Sequence, residues 1–148
     1  MPITVEKLNY IYQPNTPFEQ TALRQISFTI NDGEIIGIMG ASGSGKSTLL
    51  QCLNGLLRPA GGKIILDGID ITKLSARELN QIRRRIALAF QYPEQQIFEA
   101  RVYDEVAFGP RNLGLDTGEV EKRVQKALID TGLNYDYFKN KETASLSS

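Results

Sequence analysis

The 148-residue sequence contains no histidine and a single cysteine, Cys52. Without histidine, Ser-His-Asp chemistry, Cys-His chemistry and His-ligated zinc are excluded within the chain. One cysteine cannot close an intrachain disulfide, which fits a reducing, cytosolic compartment. A surplus of either charge is also missing: 17 basic and 17 acidic residues give a formal net charge of zero. Nothing electrostatic draws the chain to nucleic acid, and no such partner is expected. No apolar run approaches the roughly 18 residues of a spanning helix. Met1-Pro2-Ile3-Thr4 opens a polar stretch and not a secretory signal. Work at a membrane would be done from outside the bilayer.

What is present reads as α/β in a length that suits one domain. Val5 to Tyr12 is expected to be a strand, and Gln13-Pro14-Asn15-Thr16-Pro17 a turn-rich loop. Ile26, Phe28 and Ile30 alternate with Ser27 and Thr29, the period of a half-buried strand. Glu34 to Met39 is a short apolar run and predicts a strand buried on both faces. From Lys46 the period becomes helical, with Leu49, Leu53 and Leu56 on one face and an end near Asn54-Gly55 and Pro59. Lys63 to Leu66 predicts a strand, and Asp67-Gly68 a turn. Ser75-Ala76-Arg77-Glu78 has capping-box spacing before a helix that ends in Arg83-Arg84-Arg85, read as a solvated end. Ile86 to Phe90 is expected to be a second buried strand. Val120, Val124, Ala127 and Leu128 mark a last helix, stopped by Gly132.

Gly40-Ala41-Ser42-Gly43-Ser44-Gly45-Lys46-Ser47-Thr48 matches the pattern G-x-x-x-x-G-K-[ST]. Small residues let a backbone curl until successive N–H groups point inward at phosphate oxygens. A helix starting at Lys46 would aim its N-terminal dipole at the same charge. Lys46 can reach the β- and γ-phosphates, and the Ser47 hydroxyl suits Mg²⁺, a hard cation that takes oxygen ligands. The loop therefore predicts ATP and Mg²⁺ as ligands, without choosing among the many P-loop chemistries.

Several flanking segments resemble the ABC transporter nucleotide-binding domain, in that family's order. They are Leu49-Leu50, Leu56-Leu57-Arg58-Pro59 and Gly61-Gly62-Lys63-Ile64-Ile65-Leu66-Asp67-Gly68. The stretch Gln91-Tyr92-Pro93-Glu94-Gln95-Gln96-Ile97-Phe98, continuing through Asp104-Glu105-Val106-Ala107-Phe108-Gly109-Pro110-Arg111-Asn112-Leu113-Gly114, is similar to the ATPase subunit of energy-coupling factor importers, a class that includes cobalt and nickel uptake ATPases. The resemblance implies a P-loop NTPase of ABC-ATPase type: a RecA-like core with an antiparallel β portion. It implies that Tyr12, in preference to Tyr10, stacks on adenine. Gln91 would be the glutamine that meets Mg²⁺ or the attacking water, so Lys46 and Gln91 carry catalysis, and Ser47 and Gln91 serve the metal. It further implies a membrane coupling subunit facing Ile97 and Phe98, a substrate-binding membrane subunit and a second ATPase subunit. The location would be peripheral, on the cytoplasmic face of the membrane, and the cargo a vitamin or a transition-metal ion.

The family's L-S-G-G-Q signature would start at Leu146-Ser147, with Ser148 in place of its first glycine. Walker B, the catalytic glutamate and the switch histidine find no counterpart in the 148 residues. The chain therefore reads as the front part, residues 1–148, of one C-terminally truncated nucleotide-binding domain. It is expected to bind nucleotide weakly at best and not to hydrolyse it. Without a strand between 35–39 and 86–90, it is expected to be molten, aggregated or rescued by pairing with another chain, with Gln91 not held near Mg²⁺.

Overall fold

The structure, a computed structural model, describes residues 1–146. The chain divides into two compact units, Met1–Ala89 and a second from Phe90 onward.

The first unit is built on an antiparallel sheet of order β2-β1-β3-β4, with β1 Ile3–Tyr12, β2 Gln20–Ile30, β3 Gly61–Leu66 and β4 Ile69–Asp70. Helix α1 spans Lys46–Leu53 and α2 spans Ala76–Arg83. Val5, Leu8, Leu23, Leu49, Cys52, Ile64, Leu66 and Leu79 form its core. Each such aliphatic side chain contributes roughly 1.5–3 kcal/mol when fully removed from water.

Two bulges set the phase of the long strands. Lys7 and Gln25 sit at φ 45° and 52°, where the β1–β2 pairing shifts register. Lys7 N–H donates to Ser27 Oγ at 2.8 Å, and Gln25 N–H donates to Asn9 Oδ1 at 3.0 Å. An extra residue in a strand moves everything after it to the other face. Val5 and Leu8, three apart, are therefore both buried, as Leu23 is together with the partly buried Ile26. Leu8, Tyr10 and Tyr12 then follow at spacing two. Gly62, at φ 89°, lets β3 cross close to β1: a Cβ there would lie 2.4 Å from the Lys7 carbonyl oxygen.

The two strands expected at Ile35–Met39 and Ile86–Phe90 are not formed. None of the N–H groups of 35–40 or 86–90 donates to another described residue, and a strand exists only against a neighbour. Ile36 and Ile38 are about two-fifths exposed, whereas Ile35 and Met39 are 97% and 94% exposed. The apolar pattern asks for cover on both faces, and the described residues give it partial cover on one. Helix α1 ends at Leu53, so Leu56 lies beyond it and is half exposed. The capping box at Ser75 and Glu78 is formed as expected. The arginine run is not a purely solvated end. Arg83 Nη2 donates to the Gly55 carbonyl at 2.7 Å, and Arg85 Nη2 donates to Asp67 Oδ2 at 2.5 Å.

The second unit is helical: α3 Val102–Asn112, α4 Thr117–Asp130 and the single turn α5 Tyr135–Phe138. Val102, Ala107, Val120, Val124 and Leu128 form its core, with Ala127 on the exposed side. Asp116 caps α4 by accepting the Glu119 N–H at 3.1 Å, and Gly132, at φ 79°, follows its end. The C-terminal segment returns across the start of α3. Val102 N–H donates to the Lys141 carbonyl and Thr143 N–H to the Ala100 carbonyl, both at 3.0 Å.

Candidate functional site

The segment 40–48 connects the extended run after β2 to α1. Gly45 is left-handed at φ 89° and lies against β2 so closely that a Cβ would fall 2.6 Å from the Ala22 carbonyl oxygen. The loop closes through the Ser44 N–H donating to the Ala41 carbonyl at 3.2 Å. After it, the N–H groups of Gly45, Lys46, Ser47 and Thr48 donate to no described residue, and neither does that of Gly43. Helix starts leave such donors orphaned, and no side chain caps α1. Five free donors within six residues, at a helix N-terminus, form a concavity suited to an anion.

Lys46 is folded back onto this loop. Its Nζ donates to the carbonyls of Gly40 and Ala41, both at 2.8 Å, and more weakly to Ser44 Oγ at 3.4 Å. An ammonium held only by neutral carbonyls and a hydroxyl of an exposed loop is free to exchange them for phosphate oxygens, which carry full charge. The Ser47 side chain is exposed and donates to no described residue.

At the far end of β1, Tyr12 is 37% exposed, while Tyr10 packs on the core. The two rings meet edge to face, with centroids 4.8 Å apart and planes at 74°. Burial, with the neighbouring Tyr12, raises the Tyr10 hydroxyl pKa above its ordinary value. The Tyr12 hydroxyl lies 2.9 Å from Thr48 Oγ1, and Thr48 is buried. The structure thus brings one expected aromatic and the glycine-rich loop together through a contact that spacing alone does not reveal.

Gln91 is exposed and belongs to the second unit. Leu146 is 37% exposed, and the expected signature positions Ser147 and Ser148 lie outside the described residues. Among the described residues, no three acidic or cysteine side chains gather as a metal site. Metal held here would rest on hydroxyl, amide and ligand oxygens. Cys52, on the buried face of α1, is fully buried, and burial pushes its thiol up to about 11, which keeps it protonated and unreactive.

A cavity of about 600 Å³ lies beside the loop, lined by apolar residues such as Leu23, Ile26, Phe28 and Ile36 and, from the loop itself, by Gly40, Ser44, Gly45 and Lys46. Its wall away from the loop is apolar and does not match a triphosphate.

A family model described as ABC transporter matches residues 23–148. The energy-coupling factor transporter ATP-binding protein EcfA2 of Clostridium acetobutylicum is 51% identical over 147 residues, 99% of this chain and 51% of the relative. The chain thus spans about half the length of the curated relatives it matches. Among solved structures, cbiO1 from Clostridium perfringens, part of the ABC transporter complex cbiONQ, superposes with TM-score 0.82 at 41% identity, covering 98% of this chain and 55% of that one. A dimeric ATP-binding cassette in a post-hydrolysis state with ADP and Pi superposes with TM-score 0.81 at 28% identity, covering 98% of this chain and 63% of that one.

Proposed function

The chain belongs to the ABC transporter family, and we propose that it is the nucleotide-binding front part, residues 1–148, of an ATPase subunit that powers import of a vitamin or a transition-metal ion through an energy-coupling factor type transporter. The observation that carries the nucleotide reading is the loop itself: five unbonded N–H groups between Gly43 and Thr48 beside an ammonium parked on exchangeable carbonyls. Likeness to EcfA2 and to cbiO1 supports the transport reading.

In this account the backbone of 40–48 cradles the phosphates, and Lys46 leaves Gly40 and Ala41 to meet the β- and γ-phosphates. The exposed Ser47 hydroxyl fits one ligand position of Mg²⁺; the Gln91 amide oxygen is proposed as a second ligand in the assembled ATPase and not in residues 1–148 alone. When bound, the ion neutralises charge on the phosphates. Tyr12 offers a half-exposed face to adenine. Gln91 orients the attacking water. Ile97 and Phe98, 43% and 62% exposed, meet a membrane coupling subunit, which sits beside a substrate-binding membrane subunit. A second ATPase subunit completes the nucleotide sandwich, and the assembly lies on the cytoplasmic face of the membrane. On this reading residues 1–148 alone bind nucleotide weakly at best and are not expected to hydrolyse it.

Calorimetry with and without Mg²⁺ tests the metal role. Ser47→Ala should weaken Mg²⁺-ATP more than metal-free ATP; equal losses would contradict the assignment.

A further inference from the structure

We infer that Thr48 is a positioning residue for the base platform, holding Tyr12 by its hydroxyl while its backbone N–H faces the phosphate side. The inference rests on the nucleotide reading above and adds a coupling between the two halves of the site. Tyr12 is the last residue of β1, and Thr48 is the third of α1, 36 residues later in the chain. Their oxygens are 2.9 Å apart, and Thr48 is only 6% exposed, so water competes poorly for this hydrogen bond. The Thr48 N–H donates to no described residue and remains available to an anion.

The ring is held a second time. The ring makes an edge-to-face contact with Tyr10, itself packed on the core. A tyrosine pinned at its ring and at its hydroxyl has little rotamer freedom left to lose when a purine arrives. Ordering one such side chain on binding otherwise weakens affinity measurably. The Tyr12–Thr48 bond therefore sets the distance and tilt of the stacking face relative to the phosphate cradle before ligand binds. It favours a ligand that carries base and phosphates at that separation over one that carries phosphates alone.

The readout is a ratio of affinities for ATP and for inorganic tripolyphosphate, measured by calorimetry on the full chain. Tyr12→Phe keeps the aromatic face and removes one hydroxyl; Thr48→Val keeps the shape and removes the other. Each should lower the ATP-to-tripolyphosphate ratio by about 3–10-fold, the range set by one immobilised side chain. The double variant should fall no further than either single one, because both remove the same bond. Thr48→Ser should restore the ratio. An unchanged ratio in Tyr12→Phe, or additive losses in the double variant, would overturn the coupling. A parent chain that binds neither ligand would overturn the nucleotide reading itself, and this assignment with it.

Discussion

The Glu105 carboxylate accepts the Phe98 N–H at 3.1 Å and, through the same oxygen, the Glu99 N–H at 2.9 Å. A side chain in the first turn of α3 thus fixes the loop that precedes it. The Phe98 ring stands edge to face on Phe108, with centroids 4.6 Å apart and planes at 81°. Both rings remain exposed, at 62% and 43%. Glu105→Ala removes both acceptor contacts and should speed hydrogen exchange at Phe98 and Glu99 by at least about tenfold, the equivalent of one lost hydrogen bond. Exchange unchanged at these two amides would show that the loop is held by other means.

Exposure of Ile97 and Phe98 also predicts what charge does there. Ile97→Glu should leave the thermal stability of the chain within about 0.5 kcal/mol, as surface substitutions do, while Phe98→Glu should lose up to about 1.5 kcal/mol more with its ring contact to Phe108. In the assembled transporter they should block cargo uptake while ATP hydrolysis continues. A large loss of stability would instead make these side chains part of a core.

The Arg83 clamp predicts a stability effect where the sequence shows only a basic run. Its Nη2 reaches the Gly55 carbonyl just beyond α1, and its Nη1 reaches Asn80 Oδ1 at 3.0 Å. The Nε is buried with no hydrogen-bond partner among the described residues. Arg83→Ala should destabilise the first unit by about 1–3 kcal/mol, the range for a hydrogen bond to a charged group. Arg84→Ala, at an exposed position, is the control and should be near neutral. Denaturant titration of the two variants separates the clamp from a generic charge effect.

These contrasts mark how far the sequence could be read. The capping box at Ser75 and Glu78, the stop at Gly132 and the strand at 63–66 depend on local chemistry, and each is found where expected. The phosphate loop is equally local. Strand phase before Ile26 was not legible, because the bulges at Lys7 and Gln25 break the period-2 pattern. Helix α3 is not legible in the sequence, since Gly109 and Pro110 interrupt its periodicity; Pro110 lies inside the helix near its C-terminal end, away from the first turn where proline fits best. The runs 35–39 and 86–90 carry a strand's composition without a strand's neighbour, a fact no local pattern contains. The Tyr12–Thr48 bond joins residues 36 apart, and only the fold reveals it.

The Arg85–Asp67 pair gives a pH dependence of known sign. The Arg85 guanidinium, through its hydrogen bond and charge, lowers the Asp67 carboxyl below its ordinary 3.8. A depressed folded value stabilises the native state above the ordinary value, and that contribution fades as pH falls through the folded one. The carboxyl is exposed, so the effect is small. Asp67 sits at φ 51° beside Gly68 at φ 81°, a turn that asparagine also accepts, so Asp67→Asn isolates the charge. Parent and Asp67→Asn should differ in melting temperature near neutral pH and converge as pH drops below 3.8. A difference that persists or grows in acid would reverse the sign.

The Lys46 ammonium is held at 2.8 Å from the carbonyls of both Gly40 and Ala41 and is assigned to phosphate when nucleotide binds. The deciding measurement is a calorimetric titration of the chain and of Lys46→Ala with Mg²⁺-ATP. Removing a charge-assisted hydrogen bond of about 1.5–3 kcal/mol predicts an affinity loss of at least about tenfold, with no binding heat left if the parent is already weak. Equal affinity in parent and variant would contradict the assignment of residues 40–48 as the phosphate site.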